Sequence, residues 1–435
     1  MSKVRVTPKF YVALAHTDNI AIFTNAGGDN KIRVSNVNLF PSFLRENLLF
    51  SMSFDSEIHY QTLFNELDPL GNTKQLENHY VSPKRMFADC GAFQFRDLPR
   101  PMIDGVELNY ENAWDYYEKK HVNSRYSWEE ILLCSPDHIV TSDMDDEETN
   151  SRFDFIRENA PPFLEKSKSD PRVFAVGVIH GRNIEERIEQ YEMFKVMGYQ
   201  YVALGGMVPY STKQSQVLDI VAGIKDIEKP LINPESILGR CRKDGIKLHI
   251  FGLNSPEWIR WWYRLQVDSF DGSKLSTEGA ANGWYYVPND GKGAGREIPE
   301  KPKNVASLYQ RIAVKKMGSD EWKWREKNGL SCPIVPFTGK GVDTQCNCPA
   351  CEYLKSSRCT SERCWYRKLT PEKRHVADPR MMGSTEHNMG RVAHNAFIFS
   401  WIIEQINNLN QIANETEITE ENNWLLNWKT IEVSK

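Results

Sequence analysis

The fold class of this chain is indicated by one stretch, Val173–Leu204, which reads VFAVGVIHGRNIEERIEQYEMFKVMGYQYVAL. It begins with a nearly continuous apolar run, as expected for a strand that is covered on both faces of a parallel sheet. Asn183 and Glu186 then resemble the capping box that opens a helix. Apolar residues follow at helical spacing, and Gly198 provides a stop before a second short apolar run. The stretch therefore predicts two parallel strands joined by a helix.

Similar apolar runs recur on both sides of this stretch. The further candidate strands are Phe10–Ala15, Arg85–Asp89, His138–Ser142, Lys247–Phe251 and Gln266–Phe270. Helical patterns lie between them, including Val217–Ile224 and a helix that opens at Ser255-Pro256-Glu257. Repeated strand-then-helix units predict an α/β fold with a parallel sheet. Periodicity alone fits either a closed barrel or an open, doubly wound sheet.

The composition is that of a globular protein. Of the 435 residues, 40% are hydrophobic and 26% are charged, and the formal net charge is −4. This total does not indicate nucleic-acid binding, although a local basic face is compatible with it. Met1–Arg5 shows no signal-peptide pattern, and no apolar run approaches the ~18 residues that span a bilayer. We therefore expect a cytoplasmic protein without a membrane segment.

Five of the nine cysteines lie between Cys346 and Cys364, which favours metal binding in a reducing compartment over disulfides. Cys346, Cys348 and Cys351 form a C-x-C-x-x-C run, whose thiolates can converge on one tetrahedral Zn²⁺. The alternative is that these cysteines are reduced and unligated. A fourth ligand remains open among His394, His387, Cys359 and Cys364. Four protein ligands leave no position for water, so this zinc would be structural and would hold the C-terminal helix to the rest of the protein.

Three aspartates follow candidate strands directly: Asp89, Asp143 and Asp271. In a parallel barrel the carboxyl ends of all strands meet at one face, so these side chains would converge there. A pair of carboxylates can act as nucleophile and general acid/base at a glycosidic carbon. Each aspartate could instead be a helix cap or a turn residue, and Asp268 is an alternative to Asp271. His180 also follows a strand and is a further candidate.

In their order along the chain, these features resemble the tRNA-guanine transglycosylase superfamily. Asp89–Gln94 (DCGAFQ) is similar to the family's D-S-G-G-[FY]-Q motif, and Phe270-Asp271 is similar to its F-D motif. Leu204–Met207 (LGGM) looks like its V-G-G-L strand end. The cysteine run, followed by His394-Asn395, matches its C-x-C-x-x-C…H-N zinc signature. The resemblance implies a (β/α)8 TIM barrel with a C-terminal zinc-binding subdomain and helix.

The resemblance also implies roles for the matching residues. Asp271 would attack the sugar carbon C1′, and Asp89 would act as acid/base toward the leaving and incoming bases. The base would be bound by Cys90, Phe93, Gln94, Asp143, His180, Gly205, Gly206 and Phe251.

Several of these base-binding residues have distinct expected contacts. Asp143 would bind the N1/N2 edge of the purine, and Gly205 and Gly206 would offer backbone donors to its carbonyl group. Phe93 and Phe251 would stack on the two faces of the base.

Two departures from the family pattern favour its DNA-modifying branch. The T-R-N-A-R segment that follows the nucleophile in tRNA enzymes is absent, and Gly272–Thr277 (GSKLST) stands there instead. The strand form D-S-F-D-G-S looks more like the enzymes that exchange guanine in DNA for a 7-deazaguanine such as preQ0. A third departure, His180-Gly181-Arg182 in place of Gln-Gly-Gly, leaves recognition of the heterocycle open. We therefore hypothesise a DNA-guanine transglycosylase, with tRNA-guanine transglycosylation as the alternative.

The expected organisation has three parts. Residues 1–290 would form the catalytic barrel, with accessory strands near the N-terminus; residues 291–345 would connect it to a zinc-binding subdomain and C-terminal helix at 346–435. The expected partners are DNA or tRNA, the free 7-deazaguanine base, an ATPase or other modification-system protein, and a second copy of the chain. The helix would present one apolar face formed by Ile398, Ile402, Ile406, Leu409 and Ile412. Candidate phosphate-binding residues are Arg240, Arg242, Lys243, Lys274 and the pair Lys315-Lys316.

Overall fold

Eight parallel strands form a closed barrel at the centre of the structure, which is a computed structural model. In chain order they are β1 (Lys9–Ala13), β2 (Asn47–Ser51), β3 (Arg85–Asp89), β4 (Glu130–Cys134), β5 (Val173–Ile179), β6 (Tyr201–Leu204), β7 (Lys247–Ile250) and β8 (Ser269–Gly272). Each strand pairs in parallel with the next, and β8 pairs with β1 to close the barrel. The structure describes residues 6–14, 19–23, 31–35, 37, 40–52, 63, 83–103, 105–124, 126–276, 278, 284–288, 301–313 and 384–434.

Helices surround this barrel. They are α1 (Tyr110–Tyr117), α2 (Asp146–Ser167), α3 (Ile184–Met197), α4 (Gln214–Ala222), α5 (Ile237–Asp244), α6 (Pro256–Leu265) and α7 (Ser384–Glu415). Shorter helical segments occupy Ser42–Arg45, Glu118–Val122, Val208–Tyr210, Lys274–Ser276, Val305–Ser307 and Asn423–Asn427. The arrangement is consistent with a (β/α)8 TIM barrel. It confirms the expected barrel and excludes the open sheet.

Side chains along the barrel strands alternate between its interior and the layer of helices. In β5, Val176 and Val178 point into the barrel, whereas Ala175 and Ile179 pack in the outer core. The other inward-facing buried side chains of this cluster are Tyr11, Leu49, Phe87, Leu132, Cys134, Tyr201 and Ala203. Because both faces are buried, the strand sequences are nearly continuous apolar runs.

The helix predicted after β5 is confirmed. The Asn183 side chain accepts a hydrogen bond from the Glu186 backbone N–H at 2.8 Å, and Gly198 ends the helix with φ at 93°. The second hydrogen bond of the predicted capping box, in which the Glu186 side chain is the acceptor, has a different donor. The Glu186 carboxylate accepts from the backbone N–H of Arg182 at 2.7 Å, and its other oxygen accepts from the Arg182 guanidinium at 2.9 Å. An arginine just outside the helix therefore redirects this side chain.

Two strand predictions are wrong. His138–Ser142 has no strand pairing; the strand of this βα unit is the preceding run, β4, which the sequence reading missed together with β2. Ile139 and Val140 are buried although residues 136–142 belong to no strand, and the burial of this apolar pair accounts for the strand-like pattern. The strand predicted from Gln266 begins instead at Ser269, because Gln266 ends α6 with φ at 47°.

The C-terminal helix packs on the barrel wall. Phe399 of α7 contacts Phe10 of β1, with ring centroids 5.6 Å apart. The predicted apolar face is confirmed for four of its five residues, but Ile412 is exposed and the neighbouring Ala413 is buried instead. None of the helices in the described ranges is long and apolar enough to cross a membrane.

The chain beyond the barrel forms a hairpin, and its last described residues bind the layer around the barrel. A hairpin pairs Trp284–Pro288 with Tyr309–Ala313, so it spans the predicted domain limit at residue 290. The last described residues also bind the barrel layer, because Ile431 donates its backbone N–H to the Arg264 carbonyl at 2.9 Å. Ser434 similarly donates to the Ile232 carbonyl at 2.8 Å.

The contact between β5 and α3 gives a stability prediction. A Cβ atom at Gly177 would overlap the Phe194 ring, with Cε1 at 2.7 Å. We expect Gly177→Ala to lower the free energy of unfolding by about 1–3 kcal/mol through overpacking. Urea unfolding measures this loss. The penalty should shrink in a Phe194→Ala background, which removes every ring atom that the Cβ would meet; an equal penalty in both backgrounds would contradict the packing explanation.

Candidate active site

A cavity of about 800 Å³ opens at the carboxyl end of the barrel strands. Its lining includes Asp89 at the end of β3, Cys134 at the end of β4 and Asp271 in β8. Parallel strands bring these ends to one face, and the loops that follow them form the cavity wall. The structure therefore places Asp89 and Asp271 in the same cavity.

Asp271 is buried, and one of its carboxylate oxygens is held from two sides. Oδ1 accepts the Gly252 backbone N–H at 2.9 Å and lies 3.4 Å from His249 Nε2. Gly252 has φ at 76°, and a Cβ there would lie 2.5 Å from Val208 Cγ2, so this close approach requires glycine. Both contacts fall on Oδ1, which makes Oδ2 the oxygen available to a substrate in the cavity.

Asp268 has a different position from Asp271. Its Oδ2 accepts the Leu248 backbone N–H at 2.9 Å, near the start of β7. It precedes β8 and is absent from the cavity lining within the described residues. Asp268 therefore supports the barrel sheet, and Asp271 is the aspartate of this strand that faces the cavity.

The surroundings of Asp89 raise the pKa of its carboxyl group. Burial raises the pKa of Asp89 to about 7, and the nearby charges of Asp271 and Asp137 add to the increase. Hydrogen bonds from Ser51 and from the Gly91 backbone, the latter at 2.7 Å, partly oppose it. A carboxyl group with a pKa near neutrality can donate a proton in one step and accept it in the next.

Asp137 is the site residue that the sequence reading missed. It is buried in the segment after β4, and its Oδ2 lies 2.6 Å from His180 Nε2. Its Oδ1 accepts a hydrogen bond from the Cys90 thiol at 2.7 Å. Burial and the Asp137 charge raise the pKa of Cys90, so the thiol stays protonated as the donor. The available signal was an acidic residue soon after the apolar run that forms β4.

His180 packs closely against the end of β6. A Cβ atom at Gly205 would overlap the His180 ring, with Nδ1 at 2.9 Å. The Gly205 N–H already donates to the Ile179 carbonyl at 3.0 Å, and its own carbonyl accepts from buried Arg187 at 3.0 Å. Of the two predicted backbone donors, Gly205 is thus engaged in the sheet, and Gly206 at φ 67° lies at the cavity wall.

Besides Gly205 and Gly206, four predicted base-binding residues line the cavity outside the Asp137–His180–Cys90 group: Phe93, Gln94, Asp143 and Phe251. Phe93 is 58% exposed, and the Arg96 guanidinium lies 4.1 Å from its ring centroid. Asp143 is exposed in a turn rather than at a strand end, and a hydrogen bond with Thr141 lowers its pKa. The carboxylate that follows the actual strand β4 is Asp137.

Buried Arg152 of α2 joins two loops of the cavity wall. Its guanidinium donates to the Ile139 carbonyl at 2.5 Å and to the Arg96 carbonyl at 2.8 Å. These carbonyls belong to the segment after β4 and to the loop after β3. Arg152 therefore connects the segment after β4 to the loop after β3.

The predicted zinc cysteines and their competitors lie outside the described residues: Cys346, Cys348, Cys351, Cys359 and Cys364. His394 is described and buried, with Nε2 3.0 Å from the Tyr286 carbonyl. Asn395 binds the same residue, because its Oδ1 accepts the Tyr286 N–H at 2.9 Å. The carbonyl at Nε2 accepts a hydrogen bond, so Nε2 is the protonated ring nitrogen. The zinc site stays a prediction.

The candidate phosphate-binding residues are paired with glutamates, lie opposite the cavity or lie outside the described residues. Arg240 is paired with two glutamates, each at 2.6 Å. Arg242 and Lys243 lie at the end of α5 just before β7, at the amino-terminal end of the barrel and opposite the cavity. Lys274 follows β8 on the cavity side but is paired with a glutamate four residues later at 2.7 Å. The pair Lys315-Lys316 lies outside the described residues.

The closed parallel barrel and its carboxylate-lined cavity define an α/β-barrel protein with an enzyme-type site at the carboxyl end of the strands. No family model matches the chain. Over 187 residues it is 28% identical to a DNA-guanine transglycosylase of Salmonella montevideo. This match covers 42% of the chain and 39% of that relative. The similarity supports a relationship to the transglycosylase superfamily, on its DNA-type branch, and the matched region spans about two fifths of that relative.

The raised pKa of Asp89 predicts a pH-dependent stability difference. In the unfolded chain this carboxyl releases its proton near its ordinary pKa of 3.8, whereas in the folded state it does so near 7. Between these values the folded state binds more protons, so this group lowers stability as the pH rises from about 4 to 7. We expect Asp89→Asn to gain up to about 4 kcal/mol relative to the natural protein between pH 4 and pH 8, since the shift covers about three pKa units.

Urea unfolding of both proteins at the two pH values measures this difference. A gain of similar size for Asp143→Asn, whose carboxyl is exposed, would show that it does not come from burial of Asp89.

Proposed function

We propose that this protein is a DNA-guanine transglycosylase that exchanges guanine in DNA for a 7-deazaguanine base of the preQ0 type. The observation that carries the proposal is the cavity shared by two different carboxyl groups. Asp271 is fixed by a backbone donor with one oxygen toward the cavity, and Asp89 has a pKa of about 7. The similarity to a DNA-guanine transglycosylase supports the choice of DNA over tRNA.

In the first displacement Asp271 attacks the sugar carbon C1′ through Oδ2. The C1′–N9 bond breaks and its electron pair leaves with guanine, which takes a proton from the neutral carboxyl of Asp89. The products are a glycosyl ester on Asp271, free guanine and the Asp89 carboxylate. Because the target base must leave the DNA stack, a few kcal/mol of unstacking energy would have to be supplied by binding.

In the second displacement the 7-deazaguanine enters the cavity. The Asp89 carboxylate removes the proton from N9–H, N9 attacks C1′, and the C1′–Oδ2 bond breaks with its electron pair returning to Asp271. Two inversions at one carbon give overall retention. One glycosidic bond replaces another, so no nucleotide cofactor takes part.

Recognition of the base is assigned to the residues that follow the neighbouring strands. Asp137 takes the role that the sequence suggested for Asp143, because it lies after β4 and is held by His180 and Cys90. The Gly206 N–H would bind a carbonyl of the base. Phe93 and Phe251, which both line the cavity, would stack on it.

The predicted zinc would be bound by Cys346, Cys348, Cys351 and His394. Bound zinc would supply a structural link between the cysteine run and α7, which packs on the barrel. The buried position of His394 and its carbonyl partner at Nε2 support this ligand over His387. An ATPase or other partner and a homodimer remain proposals without a specific contact in the described residues.

The exchange reaction can be tested with labelled guanine. We expect label to enter double-stranded DNA with the natural protein, and Asp271→Ala to reduce incorporation at least about a thousandfold. Asp89→Asn should reduce it about 10²–10⁴-fold by removing the acid/base. Asp268→Asn, which keeps an oxygen acceptor near Leu248, is the control and should stay within about threefold of the natural protein.

Three results would reject parts of this proposal. Label entering tRNA alone would assign the protein to tRNA-guanine transglycosylation. Release of free base without incorporation would indicate a hydrolase. Full activity of Asp271→Ala would remove the proposed nucleophile.

The zinc assignment predicts one Zn²⁺ per chain by elemental analysis. Cys348→Ser should lower both the zinc content and the melting temperature, because structural zinc contributes directly to folding free energy. Cys332→Ser lies outside the run and serves as the matched control. Equal zinc content in the two variants would contradict the proposed ligand set.

A further inference from the structure

His249 is a wholly buried histidine that the steps above leave without a role. It lies on β7 inside the barrel, below the cavity, with its ring centroid 4.4 Å from that of Phe87 and 4.6 Å from that of Phe251. The sequence offers no signal for it, because it stands between Leu248 and Ile250 in an apolar strand. Its two ring nitrogens face β8, the strand that carries Asp271.

The strand register places both polar partners of His249. Ser269 is its direct neighbour on β8, and Asp271 lies two residues further on, hence on the same face of the strand. His249 Nδ1 lies 2.8 Å from Ser269 Oγ, and Nε2 lies 3.4 Å from Asp271 Oδ1. The imidazole therefore bridges a hydroxyl group and the proposed nucleophile.

These partners fix the tautomer of the neutral ring. An ionised carboxylate only accepts hydrogen bonds, so Nε2 must carry the proton that points to Asp271. Nδ1 then has the lone pair, and it accepts the hydroxyl proton of Ser269, which can serve as donor. The result is a directed chain from Ser269 O–H to His249 and from His249 N–H to Asp271.

We propose that His249 is a positioning residue that donates Nε2–H to Asp271 and favours its free carboxylate over its glycosyl ester. This inference rests on the proposed function. Together with the Gly252 N–H at 2.9 Å, the imidazole holds Oδ1 and turns Oδ2 to the cavity. A carboxylate accepts such donors more strongly than an ester does, because hydrogen bonds to charged groups are the stronger ones.

This preference acts on the second displacement. As the C1′–Oδ2 bond breaks, its electron pair returns to Asp271 and the negative charge spreads over both oxygens. A donor already aimed at Oδ1 stabilises that charge as it forms, as preorganised donors do in other sites. His249 thus promotes release of the sugar to the incoming base and keeps the covalent state from accumulating.

The matched pair His249→Leu and His249→Gln tests this role. Both side chains are uncharged and similar in size, but only the glutamine can place an N–H donor near the former Nε2. Covalent protein–DNA adduct is formed without free base, then chased with guanine, and its decay is followed on denaturing gels. We expect decay in His249→Leu to slow about tenfold, the effect of losing a hydrogen bond to a charged group, with more adduct at steady state. His249→Gln should recover most of the rate.

Ser269→Ala is a milder variant, and it tests the proposal independently of whether His249→Leu folds correctly. Ser269→Ala removes the hydroxyl that fixes the tautomer and should slow adduct decay about threefold, with a small change in melting temperature. A purely structural histidine would lower adduct formation and decay together. Equal decay rates in the natural protein and His249→Leu, or equal impairment of the leucine and glutamine variants, would overturn the proposal.

Failure of the proposed function has a different signature. In that case the natural protein forms no adduct that depends on Asp271, whatever stands at position 249. The hydrogen bond from His249 Nε2 to Asp271 is then tested by ¹⁵N NMR of the His249 ring. We expect a protonated Nε2 whose resonance shifts in Asp271→Ala; a protonated Nδ1, or no shift, would overturn the inference.

Discussion

Negative charge confined to one cavity is the constraint on which the rest of the site depends. Asp89, Asp137 and Asp271 are all brought to the carboxyl end of the barrel, where burial and mutual repulsion disfavour three ionised carboxylates. Each is accommodated differently. The pKa of Asp89 rises to about 7, Asp137 is bound by the His180 ring and a thiol, and Asp271 accepts a backbone N–H. These environments separate the proton-carrying group from the nucleophile without any change in residue type.

Local sequence signals were sufficient for the parts of the fold that depend on neighbouring residues. The strand, helix and strand of Val173–Leu204 were predictable because apolar periodicity, an N-cap and a terminal glycine all act within a few residues. The barrel itself was implied by the family resemblance, since closure depends on pairing between β1 and β8, which are distant in sequence. The same limit explains the error at His138–Ser142. An extended segment that is buried without pairing has the composition of a strand.

The candidate site was predictable where a motif carries it and not where packing does. Asp89 and Asp271 were found from motifs and lie in the same cavity. Asp137 was missed because β4 was missed, so the carboxylate after the strand was sought six residues too late, at Asp143. His249 gave no signal at all, since its partners come from another strand and an isolated histidine in an apolar run is ordinarily a core residue.

The buried thiol beside Asp137 has a consequence for chemical labelling. Cys90, Cys134 and Cys241 are the cysteines of the described ranges, and all three are buried. Burial raises the pKa of each, so the reactive thiolate is scarce at neutral pH. Alkylating reagents applied to the folded protein should therefore spare them. Any sulfhydryl that reacts in the native state belongs to the remaining positions, so thiol counting in a Cys332→Ser background reports directly on the cysteine-rich region.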